Sequence, residues 1–328
     1  MKGALYSLLK DSDNIAIFAH ISPDGDAFGS ALAMKHLILN NFDFKNIDIF
    51  MDGQIGELYN PMLKEESINP HPFEEYDLAI ILDCPNIQRT GKFAEMIDKI
   101  STKINIDHHE TNTRFGTVNY VTPKVSSTCE MIYLIAKSQG LKMNEHIAKL
   151  LYQGIITDTN CYTSPYCTSR THKIISELMQ HDFDSNKIRE YYFRNNSQAK
   201  TKLLAKALQS IRFYNDNKLT TMKICHETFT KAKASFEDTL GIIDNGINIH
   251  GTEVSAILIE KEPNQIHCSL RSKGNVDVGM IAKEFNGGGS LKLSAFQSEG
   301  DIKEIEQKLI DTIIPLIPET TEENEIVF

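Results

Sequence analysis

The sequence predicts an α/β protein, with a parallel-sheet domain first and a smaller α/β domain after it. Three observations carry that prediction. Short apolar runs alternate with helical stretches through the first half, the pattern of strands joined by crossover helices. The polar, mainly helical stretch "HDFDSNKIREYYFRNNSQAKTKLLAKALQSIRFYNDNK" at 181–218 then interrupts the alternation. Beyond it, strand and helix candidates resume in a pattern of their own.

Taken in order, the strand candidates are 15–20, 47–51, 78–83 and 103–107, and the helical stretches between and after them are 27–39, 91–99, 126–138 and 144–156. The polar segment "TSPYCTSRTH" leads into a further helix at 169–180. A first domain over 1–185, a helical linker over 186–215 and a second domain over 216–328 follow from this layout. The second domain should hold strands near 219–225, 253–260 and 265–271 and helices near 228–245, 277–285 and 302–314. The acidic end "PETTEENEIVF" should be loosely held. Active groups in parallel sheets belong at the carboxyl ends of strands. His20, Asp83 and Asp107 each close one of the apolar runs, which is the first sign of a shared site.

At 328 residues and 41% apolar composition the chain can bury two cores. The net charge of -10 argues against coating long duplex nucleic acid, which needs many phosphate-neutralising Lys and Arg. It leaves room for a short anionic substrate held beside metal ions. Cys84, Cys129, Cys161, Cys167, Cys225 and Cys268 form no CxxC pair, so they read as reduced, mostly buried thiols rather than a disulfide framework or thiolate zinc site. Runs such as "LAIILDC" are too short to span a bilayer and "MKGALYSLLKDSDN" does not read as a cleavable signal. The expectation is a cytoplasmic protein with no membrane partner.

Four stretches concentrate acids and histidines: "HISPDGD" (His20, Asp24, Asp26), "ILDCPN" (Asp83), "INIDHHET" (Asp107, His108, His109) and "GIITDTN" (Asp158). Each has an ordinary reading in isolation. Asp26 could cap the helix that follows it, Asp83 could end a strand, Asp158 could make an Asx turn, and His108 and His109 could be structural. Together they form the imidazole and carboxylate set that suits borderline divalent ions such as manganese. Two ions about 3.5–4 Å apart would need some seven ligand positions with a bridging carboxylate, and would clamp both oxygens of a phosphoryl displacement.

The stretches "HISPDGDAFGS", "ILDCPN", "DHHET" and "GIITDT", in that order, resemble the four motifs of the DHH phosphoesterase superfamily. The segment "CSLRSKGNVDVGMIAKEFNGGGS" resembles the DHH-associated domain. The resemblance implies a DHH fold with the active site in a cleft between two domains. It implies one ion on His20, Asp24 and Asp83 and a second on Asp26, Asp83, His108 and Asp158, with His109 facing the scissile phosphate. Asp107 is then placed to orient a histidine. In the second domain Arg271 would grip phosphate, and Gly287, Gly288, Gly289 and Ser290 would line the substrate. Ser290 stands where the family usually has histidine, and serine can hydrogen-bond but supplies no cation and no stacking ring.

What the resemblance implies is a two-metal phosphoesterase, manganese-dependent with magnesium or cobalt as alternatives, that cleaves short single-stranded RNA to mononucleotides. Adenosine 3′,5′-bisphosphate (pAp) and linear dinucleotides such as pApA are further expected substrates, and a homodimer is left open. RecJ-type exonucleases are longer, and cyclic dinucleotide phosphodiesterases with this catalytic pair usually carry membrane segments. A manganese inorganic pyrophosphatase is the runner-up enzyme, although "LRSKG" with "GGG" differs from its lysine-bearing signature. A non-catalytic nucleotide-binding module is the alternative of another class, with Ser290 in its favour and the complete ligand set against it.

Overall fold

The computed structural model describes residues 3–63 and 66–318; the acidic end, apart from Pro318, lies outside the described residues. Two compact units divide at Asn195 and Asn196.

The first unit holds α1 (Ala4–Asp11), β1 (Asn14–Phe18), α2 (Gly25–Asn41), β2 (Asn46–Phe50), β3 (Leu78–Leu82), α3 (Ala94–Lys99), β4 (Lys103–Asp107), β5 (Val118–Val121), α4 (Thr128–Gln139), α5 (Glu145–Asp158), α6 (Ser169–Leu178) and α7 (Ser185–Phe193). Its five strands run parallel in the order β2-β1-β3-β4-β5. The apolar runs are nearly continuous because both faces are covered. Ile15, Ile17, Leu78, Ile80 and Leu82 join one core with α2, α4 and α5. Ala16, Phe18, Ala79 and Ile81 join another with Phe50 and Ile97. That split follows the two-residue period of a strand. Since β2 lies on one side of β1 and β3 on the other, the chain reverses direction across the sheet there, and the crevice beyond those two strand ends is where such sheets take ligands.

Helix α2 is buried on nearly every side from Gly25 to Met34, as expected for a stretch of small and apolar residues with no polar stripe. It packs on α4 and α5, and Gly154 sets the closeness of that junction. A Cβ there would sit 2.2 Å from Cys129 Sγ and 3.2 Å from Asp26 Oδ1. Gly154→Ala is therefore expected to cost about 1–3 kcal/mol by overpacking, read as a lower urea midpoint with unchanged slope.

The segment 186–215 is divided rather than free-standing. Ile188 of α7 packs in the first unit's core, whereas Leu203 and Ala207 of α8 (Gln198–Gln209) pack in the second. The second unit continues with β6 (Arg212–Tyr214), β7 (Leu219–Ile224), α9 (His226–Ala232), α10 (Asp244–Ile247), β8 (Val254–Glu262), β9 (Gln265–Ser272), α11 (Val278–Glu284), β10 (Gly288–Gly289), β11 (Leu293–Glu299) and α12 (Ile302–Ile313). The sheet order is β10-β11-β9-β8-β7-β6, with only β7 and β8 parallel. The single helix expected over 228–245 is broken into α9, a 3-10 turn at Phe236–Thr239 and α10. Lys233 (φ 54) and Gly241 (φ 79) take left-handed backbone between those pieces, which no α-helix continues through. Among the described residues no helix is long and apolar enough to cross a membrane.

Candidate metal centre

The centre is assembled at the carboxyl ends of β1, β3 and β4 and at the ends of three helices. After β1, Asp24 caps α2, its Oδ1 accepting from the amides of Asp26 and Ala27 at 3.0 Å each. The cap is thus Asp24, and Asp26 does something else. Buried almost completely, Asp26 accepts from the amides of Thr128 at 2.6 Å and Cys129 at 2.9 Å, at the start of α4 where the helix dipole favours a carboxylate. Asp83, one residue past β3, has φ 56, a left-handed backbone that Asp and Asn enter more readily than most residues. Its Oδ1 accepts from Thr128 Oγ1 at 3.1 Å.

Asp83 stands between two imidazoles. His20 Nε2 lies 3.5 Å from Asp83 Oδ2 and 3.7 Å from Asp24 Oδ1. His108 Nε2 lies 3.5 Å from Asp83 Oδ1 and 3.8 Å from Asp158 Oδ2 at the end of α5. In both rings Nδ1 faces a backbone carbonyl, Ile21 at 2.9 Å for His20 and Val125 at 3.2 Å for His108. Those carbonyls accept from Nδ1–H, so that in the neutral ring Nε2 carries the free lone pair, the arrangement metal-ligating histidines use.

His109 is arranged differently. Its Nδ1 donates to Asp107 Oδ1 at 2.7 Å, and Asp107 Oδ2 accepts from Asn112 Nδ2 at 2.6 Å. Asp107 is fully buried, whereas the His109 side chain is 43% exposed against 9% for His20 and 15% for His108. Asp107 therefore orients a ring that faces outward.

The local field calls for cations. Burial first, and then the charge on Asp83, pushes the Asp26 carboxyl up to about 7. Burial, Asp26 and Asp83 raise Asp158 well above the carboxylate range. Burial opposes protonation of His20, yet Asp24 and Asp83 outweigh it and push the ring up to about 10. His108 and His109 are also raised against burial, by Asp83 with Asp26 for the first and by Asp107 with Asp83 for the second. Carboxylates that can be accommodated only by binding protons are well placed to bind a divalent ion instead. Burial keeps Cys84 and Cys129 neutral, which leaves nitrogen and oxygen donors only.

The donors fall into groups that fit such ions. His20, Asp24 and Asp83 each offer one ligand atom within 4.8 Å of the others, and so do Asp26, His108 and Asp158. Asp83, His108 and His109 form a third group that overlaps both sides. Mixed imidazole and carboxylate donors without thiolate suit manganese, cobalt or zinc. Thr128 and Asn112 also shape the centre, and the sequence marks them only by the "SSTCE" helix start and by adjacency to "DHHET".

In the second unit, Arg271 lies near the end of β9, with Nε 3.6 Å from Asp244 Oδ1 and Nη1 donating to the Leu270 carbonyl at 3.1 Å. The glycines at 287 and 289 are required by β11. A Cβ on Gly287 would lie 2.3 Å from the Ala295 carbonyl oxygen and one on Gly289 2.3 Å from that of Leu293, whereas at Gly288 nothing lies within 4 Å. Only Gly288 has space to spare. The Ser290 amide donates to the Leu293 carbonyl at 2.7 Å, so this residue closes the turn between β10 and β11.

Comparison with known proteins agrees with this architecture. Residues 14–155 match the DHH family, N-terminal domain, and residues 218–316 match the DHHA1 domain. The chain is 29% identical over 300 residues to the bifunctional oligoribonuclease and PAP phosphatase NrnA of Bacillus subtilis, covering 88% of this chain and 90% of that one. A probable NrnA of Streptococcus mutans is 28% identical over 285 residues, covering 86% and 88%. The fold matches the crystal structure of an exopolyphosphatase-related protein from Bacteroides fragilis with a TM-score of 0.87 at 24% identity, over 95% of this chain and 96% of that one. With a DHH domain carrying the acid and histidine cluster and a DHHA1 domain after it, the chain belongs to the DHH family of phosphoesterases.

Proposed function

We propose that this phosphoesterase uses two divalent ions, manganese foremost, to hydrolyse short RNA oligonucleotides to mononucleotides in the cytoplasm. It would also convert pAp to AMP and cleave linear dinucleotides such as pApA. The observation that carries the two-ion reading is Asp83, which turns one carboxylate oxygen toward His20 and the other toward His108. On that reading His20, Asp24 and Asp83 hold one ion and Asp26, Asp83, His108 and Asp158 the other. When bound, the ions supply positive charge against the phosphoryl oxygens and a water of lowered pKa. His109, oriented by Asp107 and favoured as the imidazolium, against burial, by Asp107 and Asp83, would donate its Nε2–H to the phosphate. The relatives named oligoribonuclease and PAP phosphatase support the substrate class, and the net charge of -10 suits a ligand with few phosphates.

Arg271, with Gly287, Gly288, Gly289 and Ser290, would take the part of the substrate that does not react. Truncating a charge-assisted hydrogen bond costs about 1.5–3 kcal/mol, so Arg271→Ala should raise KM about 10- to 100-fold on a dinucleotide and leave metal content unchanged. Loss of bound metal in that variant would overturn this division of roles.

The proposal is tested by product analysis with purified protein in manganese, using an RNA dinucleotide, an RNA pentamer, pAp and inorganic pyrophosphate in parallel. Mononucleotide and AMP release is the expected result. Hydrolysis of pyrophosphate alone would make it a pyrophosphatase, and metal uptake without turnover of any of the four would point to a binding module.

A further inference from the structure

We propose that His36, Glu66 and His146 form a second, non-catalytic site for a borderline divalent ion such as zinc, at the far end of the α2–α5 pair from Asp83. The three donors come from three separate pieces of chain. His36 lies in the later turns of α2, His146 in the first turn of α5, and Glu66 in the segment between β2 and β3. His36 Nε2 is 2.6 Å from Glu66 Oε1. The His146 ring stands edge-on to the His36 ring, with centroids 4.4 Å apart and planes at 90°. One ligand atom from each residue lies within 4.8 Å of the other two.

Two imidazoles and a carboxylate are a donor set that three-ligand zinc sites use, with a fourth position left for water. The orientation of the carboxylate is already fixed. Lys35 Nζ binds Glu66 Oε2 at 2.6 Å, so Oε1 is the oxygen left for an ion, and the lysine acts as the outer partner that ligating carboxylates normally have. Its charge works against a cation, but the ionised carboxylate offsets it, and Lys35 need not be displaced. The hydrogen bond from His36 and, against burial, the contact with Lys35 hold Glu66 down to about 2. Burial and then His36 lower the proton affinity of His146, which favours a neutral ring with a free lone pair. An ion would replace the proton that His36 shares with Glu66.

The position gives the site a purpose. Asp26 is ten residues before His36 on α2, about 15 Å away at 1.5 Å per residue. Asp158 ends the helix whose first turn holds His146. An ion here would tie together, at their outer ends, the two helices whose inner ends carry catalytic-centre carboxylates.

The test counts ions directly. Full-length protein is stripped with chelator, saturated with zinc chloride, desalted and analysed for zinc per chain, beside His146→Ala and His36→Gln. His146 is exposed at a helix start, so its replacement should fold even if the His36 variant does not. The expected result is one fewer zinc per chain in each folded variant, a lower melting temperature in zinc than the wild type, and unchanged hydrolysis of an RNA dinucleotide in manganese. Equal zinc content in wild type and variants would overturn the proposal and leave the three residues as an ion-pair network only.

Discussion

Asp83→Asn is expected to lower kcat/KM on short RNA by about a thousandfold or more, equivalent to about 4 kcal/mol, and to release metal, while leaving the fold intact. The choice of asparagine matters. Asp83 has φ 56, a conformation asparagine shares at little cost, and the amide oxygen can still accept from Thr128 Oγ1. What disappears is the charge that faces both imidazoles. That same charge raises the proton affinity of Asp26 and Asp158 but also supports the protonated rings of His20 and His108, so the two losses oppose each other and the metal-free variant should stay close in stability to metal-free wild type. A merely structural Asp83 would behave in the opposite way, with stability lost and metal retained. Metal content by elemental analysis and urea midpoints in chelator separate the two cases, and normal turnover with two bound ions would refute the bridging role.

The positions at the centre are legible in the sequence because strand ends and motif order are local properties. His20, Asp83 and His108 follow apolar runs whose β identity is fixed by burial on both faces, and the structure brings them together. The partner of Asp26 is not legible. Its own helix offers an obvious cap position, and only the packing of α4 against α2 reveals that its oxygens meet the amides of Thr128 and Cys129. Elements without periodicity are hidden for a related reason. The edge strand β5 is half-buried throughout and shows neither alternation nor a continuous apolar run, while β11 opens with an exposed leucine beside a glycine-rich turn. The glycine triplet looks uniform in sequence, yet two of its members answer to the backbone of β11 and one does not. Contacts between distant segments decide such cases, and no local pattern encodes them.

Removal of metal should make stability fall as pH rises, the reverse of the usual behaviour of paired carboxylates. An unfolded Asp26 would release its proton near 3.8, whereas in the fold it does so at about 7. Between those values the native state holds a proton that the unfolded state lacks, so the stabilisation is complete below the lower value and is lost as pH rises through the upper one. His20 acts with the same sign in a later window, from its ordinary 6.5 to about 10. Asp24, whose carboxyl is lowered despite burial because His20 stands beside it, has the opposite sign, but it acts only below 3.8. From about pH 5 to about pH 8 the slope is therefore negative in chelator. Divalent ions take the place of those protons and remove the slope, so the gap in melting temperature between manganese-loaded and stripped protein should widen steadily across that range. Asp83→Asn, which relieves Asp26 and Asp158 of a neighbouring charge, should flatten the stripped curve. A melting temperature in chelator that stays level or rises over the same interval would mean that the carboxylates at the centre are not held in excess of what protons and histidines can neutralise, and the case for two ions would fail with it.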